Sequence, residues 1–193
     1  MSLKIFQHNF FETIDNFFTA SELEFALHDL DHIGWKYNSF ASNENNLNKY
    51  DKNLNYTFID TKEPIINTSE LPGINNMIIK KLESIYCVKI KPHNAYLNSY
   101  QFGNEMEIHT DRITKLNYNR TFIIYLNSCP KWELEWGGHT VIYNKEKNKI
   151  LHTSIPKRNS LVVFDGLLPH AMIPIGRTCF ERRIILVYQT EIE

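Results

Sequence analysis

The sequence predicts a mainly β fold, a jelly roll with flanking α-helices, and three observations lead there. From about residue 86 onward, short runs rich in Val, Ile, Phe and Tyr are separated by Gly, Pro and Asn every eight to twelve residues, the pattern of a sandwich or barrel. Before that point the apolar residues recur at three and four, the period of an amphipathic helix. The length of 193 residues, with 42% hydrophobic and 13% aromatic content, suits one compact domain over 1–193: a helical N-terminal support region (1–85) and a jelly-roll core (86–193).

Thr19 and Glu22 stand at capping-box spacing, and Leu23, Ala26, Leu27 and Leu30 form a stripe, predicting a first helix over roughly 20–32. The segment 41–55 has six asparagines and no apolar period, and reads as a surface loop to which no chemistry is attached. Pro72 and Gly73 open a second helix in which Ile74, Ile78, Leu82 and Ile85 share a face. Eight strand candidates follow: "NAYLNSY", "MEIHTDRI", "RTFIIYLN", "GHTVIYN", "KILHTSI", "SLVVFD", "HAMIPI" and "RRIILVYQ". Eight is the jelly-roll count, and two facing sheets leave a cleft at one end.

Composition narrows the function. A formal charge of -1 supplies no overall basic field for nucleic acid. Three cysteines without C-x-x-C spacing suggest neither a disulfide framework nor a zinc knuckle, and no run approaches the 18 or so apolar residues of a membrane span. The expectation is a soluble, cytoplasmic protein with no membrane or nucleic-acid partner.

"NSYQFGNEMEIHTDRI" contains one His-x-Asp. If the stretch is a strand, His109 and Asp111 project from one face. Chance alone gives about 0.3 such pairs in a chain of this composition, and a half-exposed strand with two polar residues would look the same. His170 enters another apolar run 59 residues beyond Asp111. In a β-sandwich such residues can meet across the two sheets at one end. Two imidazoles and one carboxylate on one side of a metal make the facial triad of non-haem Fe(II) oxygenases, with open positions for substrate chemistry. His28 and His32 stand at i and i+4, but Asp29 replaces the Glu that zinc proteases use as base, and the helix C-terminus already accounts for imidazoles there. His8, His93 and His152 lack partners at ligand spacing, and His139, after a Gly-Gly pair, is left open.

Iron held this way needs two electrons to split oxygen, and a chelating keto acid supplies them by decarboxylating. Its distal carboxylate requires a cation and hydroxyl donors. Arg182 and Arg183 open the last strand, where alternation lets only one face inward, and Tyr125 ends "TFIIY". An exposed cationic strand start and a core tyrosine would give the same residues.

From Tyr100 to Gln189, about 90 residues, the chain resembles the prolyl-4-hydroxylase-like branch of the Fe(II)/2-oxoglutarate-dependent oxygenases. "YQFGNEMEIHTD" resembles its Tyr-then-Gly-then-His-x-Asp segment, "RTFIIYLN" its Arg-Thr-strand-Tyr-Leu-Asn, and "WELEWGGHTVIY" its Trp-Gly-Gly turn. "PKRNSLVVFDGLLPHAMIPI" is similar to the strand leading into its distal His, and "ERRIILVY" to its ending. The resemblance implies a double-stranded β-helix, the cupin-like jelly roll, with N-terminal helices packed on the major sheet. It implies His109, Asp111 and His170 as catalytic iron ligands, and Fe(II) and 2-oxoglutarate as cofactors with ascorbate in support. Arg182 matches the residue that pairs with the 5-carboxylate of 2-oxoglutarate, Tyr125 the tyrosine that hydrogen-bonds it, and Tyr100 the tyrosine lining the co-substrate pocket. The interval from His170 to Arg182 is about two residues longer than usual, which keeps Arg183 as the alternative. His139 departs from the branch's Glu or Ala, so no substrate contact transfers.

The activity implied is hydroxylation of an unactivated C–H by O2, with 2-oxoglutarate converted to succinate and carbon dioxide. A peptidyl, prolyl-type side chain is the expected substrate, with Trp132, Trp136 and the Asn-rich segment as a groove for an extended chain. The alternatives are a free amino acid or small metabolite; an oxidative nucleic-acid demethylase, whose second arginine would stand at Tyr188; and a non-catalytic cupin-like module that binds metal or sugar.

Overall fold

The structure is a computed structural model that describes residues 3–31, 72–111 and 119–193. The chain forms β1 (Phe11–Asp15), α1 (Ala20–Asp31), α2 (Pro72–Tyr86), β2 (Ile90–Tyr100), β3 (Met106–His109), β4 (Asn119–Tyr125), β5 (Thr140–Tyr143), β6 (Ile150–Ser154), β7 (Ser160–Asp165), β8 (His170–Met172) and β9 (Arg183–Ile192). Two antiparallel sheets result, one of five strands in the order β1-β7-β4-β9-β2 and one of four in the order β3-β8-β5-β6. This is the jelly roll expected from the strand count.

Strand alternation divides the core in two. Phe122 and Ile124 of β4, Leu161 and Val163 of β7, and Leu186 and Tyr188 of β9 form the outer face of the larger sheet, packed with Ala26 and Leu30 of α1 and Ile74, Ile78 and Leu82 of α2. Their neighbours Ile123, Tyr125, Val162, Phe164, Ile185 and Val187 face inward, against Ile142 and Met172 of the smaller sheet. The helices therefore stiffen the back of the sheet whose front carries half of the site.

The capping box forms as the spacing predicts: Thr19 N–H donates to Glu22 Oε2 at 2.8 Å and Glu22 N–H to Thr19 Oγ1 at 3.4 Å. Lys81 of α2 pairs with the same Glu22 carboxylate at 2.5 Å. The Asn-rich segment and His32, hence the His28/His32 pair, lie outside the described residues.

Three differences from the sequence reading have physical causes. β1 is a strand that the reading lacked; "FETID" alternates along an edge, paired with β7 on one side only. β2 begins at Ile90 rather than at Asn94, and Pro92 is accommodated because β2 is the other edge and its register against β9 shifts between Pro92 and Asn94. The strand predicted for 106–113 ends at His109, and Asp111 bonds instead to Gly166 and Asn119; residues 112 and 113 lie outside the described residues.

Candidate metal and co-substrate site

His109 and His170 are direct partners in the β3–β8 ladder, so they meet within the smaller sheet and not across the two sheets. Their ring centroids are 4.2 Å apart. His109 Nδ1 lies 2.8 Å from the Glu107 carbonyl oxygen, and His170 Nδ1 lies 3.0 Å from that of Leu168. A carbonyl only accepts, so each Nδ1 carries a proton, and in the neutral ring the lone pair is then on Nε2. Burial is the main influence on His170 and lowers its pKa, which favours the neutral, ligating imidazole.

Asp111 reaches the site by a different route from the one strand alternation suggested. It lies beyond the end of β3, where its N–H donates to the Gly166 carbonyl at 2.9 Å and its own carbonyl accepts from Asn119 Nδ2 at 2.7 Å. The larger sheet supplies the carboxylate's partners: Thr121 Oγ1 donates to Oδ2 at 2.7 Å and Gln189 Nε2 to Oδ1 at 2.6 Å. The carboxylate is 3.8 Å from His109 Nε2 and 3.5 Å from His170 Nε2. One ligand atom from each of the three residues lies within 4.8 Å of the others, close enough for one cation.

Beside this group is a small pocket, part of it open to solvent. Arg183 lines it and Arg182 does not. Arg183 shares the inward parity of Ile185 and Val187 and is buried, while Arg182 precedes β9 and is exposed. The inward cation is thus the alternative Arg183 and not Arg182, by the alternation that allows only one of two neighbours inside. Arg183 Nη2 donates to Thr140 Oγ1 at 2.8 Å, and that hydroxyl lies 2.7 Å from Tyr125 Oη. The guanidinium sits over the Tyr100 and Tyr125 rings, 5.4 and 5.2 Å from their centroids. Its Nε is buried without a hydrogen-bond partner.

Tyr100 lines the same pocket, and its hydroxyl accepts from Asn98 Nδ2 at 2.8 Å. Burial pushes its pKa up to about 12 against the opposing effect of Arg183, so the phenol stays protonated and can donate.

His139 is buried, and its Nε2 has no partner. Burial, then the charge of Arg183, lowers its pKa. Trp132 does not face an open groove: it is buried, donates its indole N–H to the Gly137 carbonyl at 2.9 Å and packs edge-on against Trp136. Both tryptophans brace the Gly137–Gly138 turn. His152 lies against β1, 2.9 Å from Thr13 Oγ1 and stacked on Phe11.

Thr121, Thr140 and Gln189 did not emerge from the sequence. Parity held the signal for two of them: Thr121 is two and four residues from the inward Ile123 and Tyr125, and Gln189 continues the 183, 185, 187 row. Thr140 follows Gly-Gly-His with no pattern that distinguishes it.

The family model of the 2OG-Fe(II) oxygenase superfamily matches residues 95–189. No curated protein matches the sequence. Among solved structures, an oxidoreductase of the 2OG-Fe(II) oxygenase family from Burkholderia pseudomallei superposes with a TM-score of 0.70 at 12% identity, covering 94% of this chain and 85% of the other. A Pseudomonas putida prolyl-4-hydroxylase gives 0.56 at 16% identity over 95% and 93%. A Trichoplax adhaerens prolyl hydroxylase, in complex with a hypoxia inducible factor oxygen degradation domain peptide fragment, gives 0.62 at 19% identity over 95% and 84%. At these identities the likeness is one of fold.

Proposed function

Because the chain belongs to the 2OG-Fe(II) oxygenase superfamily and is a 2-oxoglutarate-dependent dioxygenase, we propose that it hydroxylates an unactivated C–H of a peptidyl side chain of prolyl type. The donor set fits both cofactors. Two neutral Nε2 atoms and one carboxylate suit Fe(II), while a buried guanidinium with an unpartnered Nε, beside three hydroxyls, suits a dicarboxylate.

In this reading His109, Asp111 and His170 hold the iron. Arg183, Thr140 and Tyr125 take the distal carboxylate of 2-oxoglutarate, and Tyr100 donates from its protonated phenol. When bound, iron and 2-oxoglutarate supply the oxidation, one atom of O2 entering succinate as carbon dioxide leaves and the other entering the substrate C–H. The chain itself positions and shields: Met172, Ile185 and Val187 exclude water, and Thr121 and Gln189 hold the Asp111 carboxylate. Ascorbate would keep the iron ferrous. The free thiols of Cys87, Cys129 and Cys179 support a cytoplasmic setting.

One observation supports the substrate class: a Trichoplax adhaerens prolyl hydroxylase that shares this fold is seen in complex with a peptide fragment. A demethylase reading finds no support, since Tyr188 faces α2 and donates to Asn75, away from the pocket. Incubating the protein with Fe(II), 2-oxoglutarate, ascorbate and a peptide library, with free amino acids in parallel, tests the proposal. A mass gain of one oxygen in peptides is expected; a gain in free amino acids alone would overturn it.

A further inference from the structure

Asp111 is gripped on both oxygens, and one grip has a support of its own. Gln189 Nε2 donates to Asp111 Oδ1 at 2.6 Å, while Gln189 Oε1 accepts from Asn94 Nδ2 at 3.0 Å. A carboxamide has one donor end and one acceptor end, so occupying the acceptor end fixes which end remains for the carboxylate. Asn94 and Gln189 are directly opposed in the β2–β9 ladder, and that opposition follows the register shift between Pro92 and Asn94. A bulge at a sheet edge beside a site re-aims a side chain, and here it sets Asn94 against Gln189.

We propose that Asn94 and Gln189 are a paired positioning device for the metal site: Asn94 fixes the Gln189 amide so that its N–H always meets Asp111, keeping the carboxylate turned toward the two imidazoles. Neither residue touches the metal. The inference rests on Asp111 being a metal ligand. A partner in the outer shell of a ligating carboxylate orients it and tunes its basicity, and losing one typically costs roughly 10–100-fold in metal affinity.

The pair makes a directional prediction that packing alone does not. Asn94→Asp turns a donor into an acceptor, so the Gln189 amide loses the partner that fixed its orientation: it can donate to only one of two competing carboxylates, and its N–H no longer always meets Asp111. Co(II) affinity then falls although the altered side chain does not contact Asp111. Gln189→Met keeps the volume and deletes the donor.

Co(II) binding to the metal-free full-length protein, measured by titration calorimetry beside thermal melting, tests this without turnover. Gln189→Met and Asn94→Asp should each weaken Co(II) by roughly 10-fold or more at an unchanged melting temperature. The double variant should bind no more weakly than Gln189→Met, because Asn94 acts through Gln189. Wild-type affinity in Gln189→Met, or an additive loss in the double variant, would overturn the proposal. If Gln189→Met melts early, Asn94→Asp decides alone, and wild-type affinity there overturns it. Asp111→Ala separates the two readings: if it binds Co(II) like the wild type, the assignment of Asp111 as ligand fails, whatever Gln189 does.

Discussion

His109 and His170 face each other as cross-strand partners of β3 and β8, and each donates its Nδ1–H to the backbone carbonyl two residues before it. The same local device, used twice, aims two Nε2 lone pairs at one point. On the proposed assignment, removing either imidazole deletes a ligand. His170→Ala should therefore lower metal affinity by more than the roughly 10–100-fold that an outer hydrogen bond is worth, and abolish succinate formation. Metal titration and succinate assays check this.

Arg183 and Arg182 are adjacent, but only Arg183 shares the parity of Ile185 and Val187. Arg183→Ala should raise the KM for 2-oxoglutarate by roughly 30-fold or more, the equivalent of losing about 2 kcal/mol from a buried charge pair. Arg182→Ala should change it by less than about 3-fold, since its side chain is exposed. Steady-state kinetics on both variants decide which arginine binds the co-substrate.

Gly137 has φ 71° and a Cβ there would collide with the Pro174 carbonyl oxygen, whereas Gly103 has φ 81° with nothing within 4 Å of the same position. Gly103→Ala should cost about 1 kcal/mol from backbone strain alone. Gly137→Ala should cost distinctly more, because the bridge to Ile175 must also shift. Denaturant unfolding of the two variants compares them directly.

Burial and the Arg183 charge depress the pKa of His139 from its ordinary 6.5. Below pH 6.5 the unfolded chain takes up a proton at this residue that the folded chain refuses. The contribution to stability is complete above 6.5 and is lost as pH falls from there toward the lower folded value. His139→Phe should make the fall in unfolding midpoint on the acid side shallower, as a pH series of denaturant melts would show.

How much of this was legible in the sequence depended on the range of the interaction. The α1 capping box, the buried Ile74, Ile78 and Leu82 stripe of α2 and the existence of the eight core strands are local patterns and are found, whereas strand ends shift and Ile85 is exposed. His109, Asp111 and His170 do converge, yet Asp111 arrives through a turn held by Gly166 and Asn119, contacts between segments that no local pattern joins. β1 was missed because a five-residue edge strand shows only weak alternation until β7 lies beside it. Gln189 is placed by a bulge in a different strand, so neither its own neighbours nor its residue type announces its partner.

If His109, Asp111 and His170 hold one iron against which 2-oxoglutarate is turned over, Fe(II)-dependent succinate formation separates the wild-type protein from Asp111→Ala. Succinate is expected from the wild type and none above background from the variant; equal succinate from both would show that Asp111 does not hold the iron.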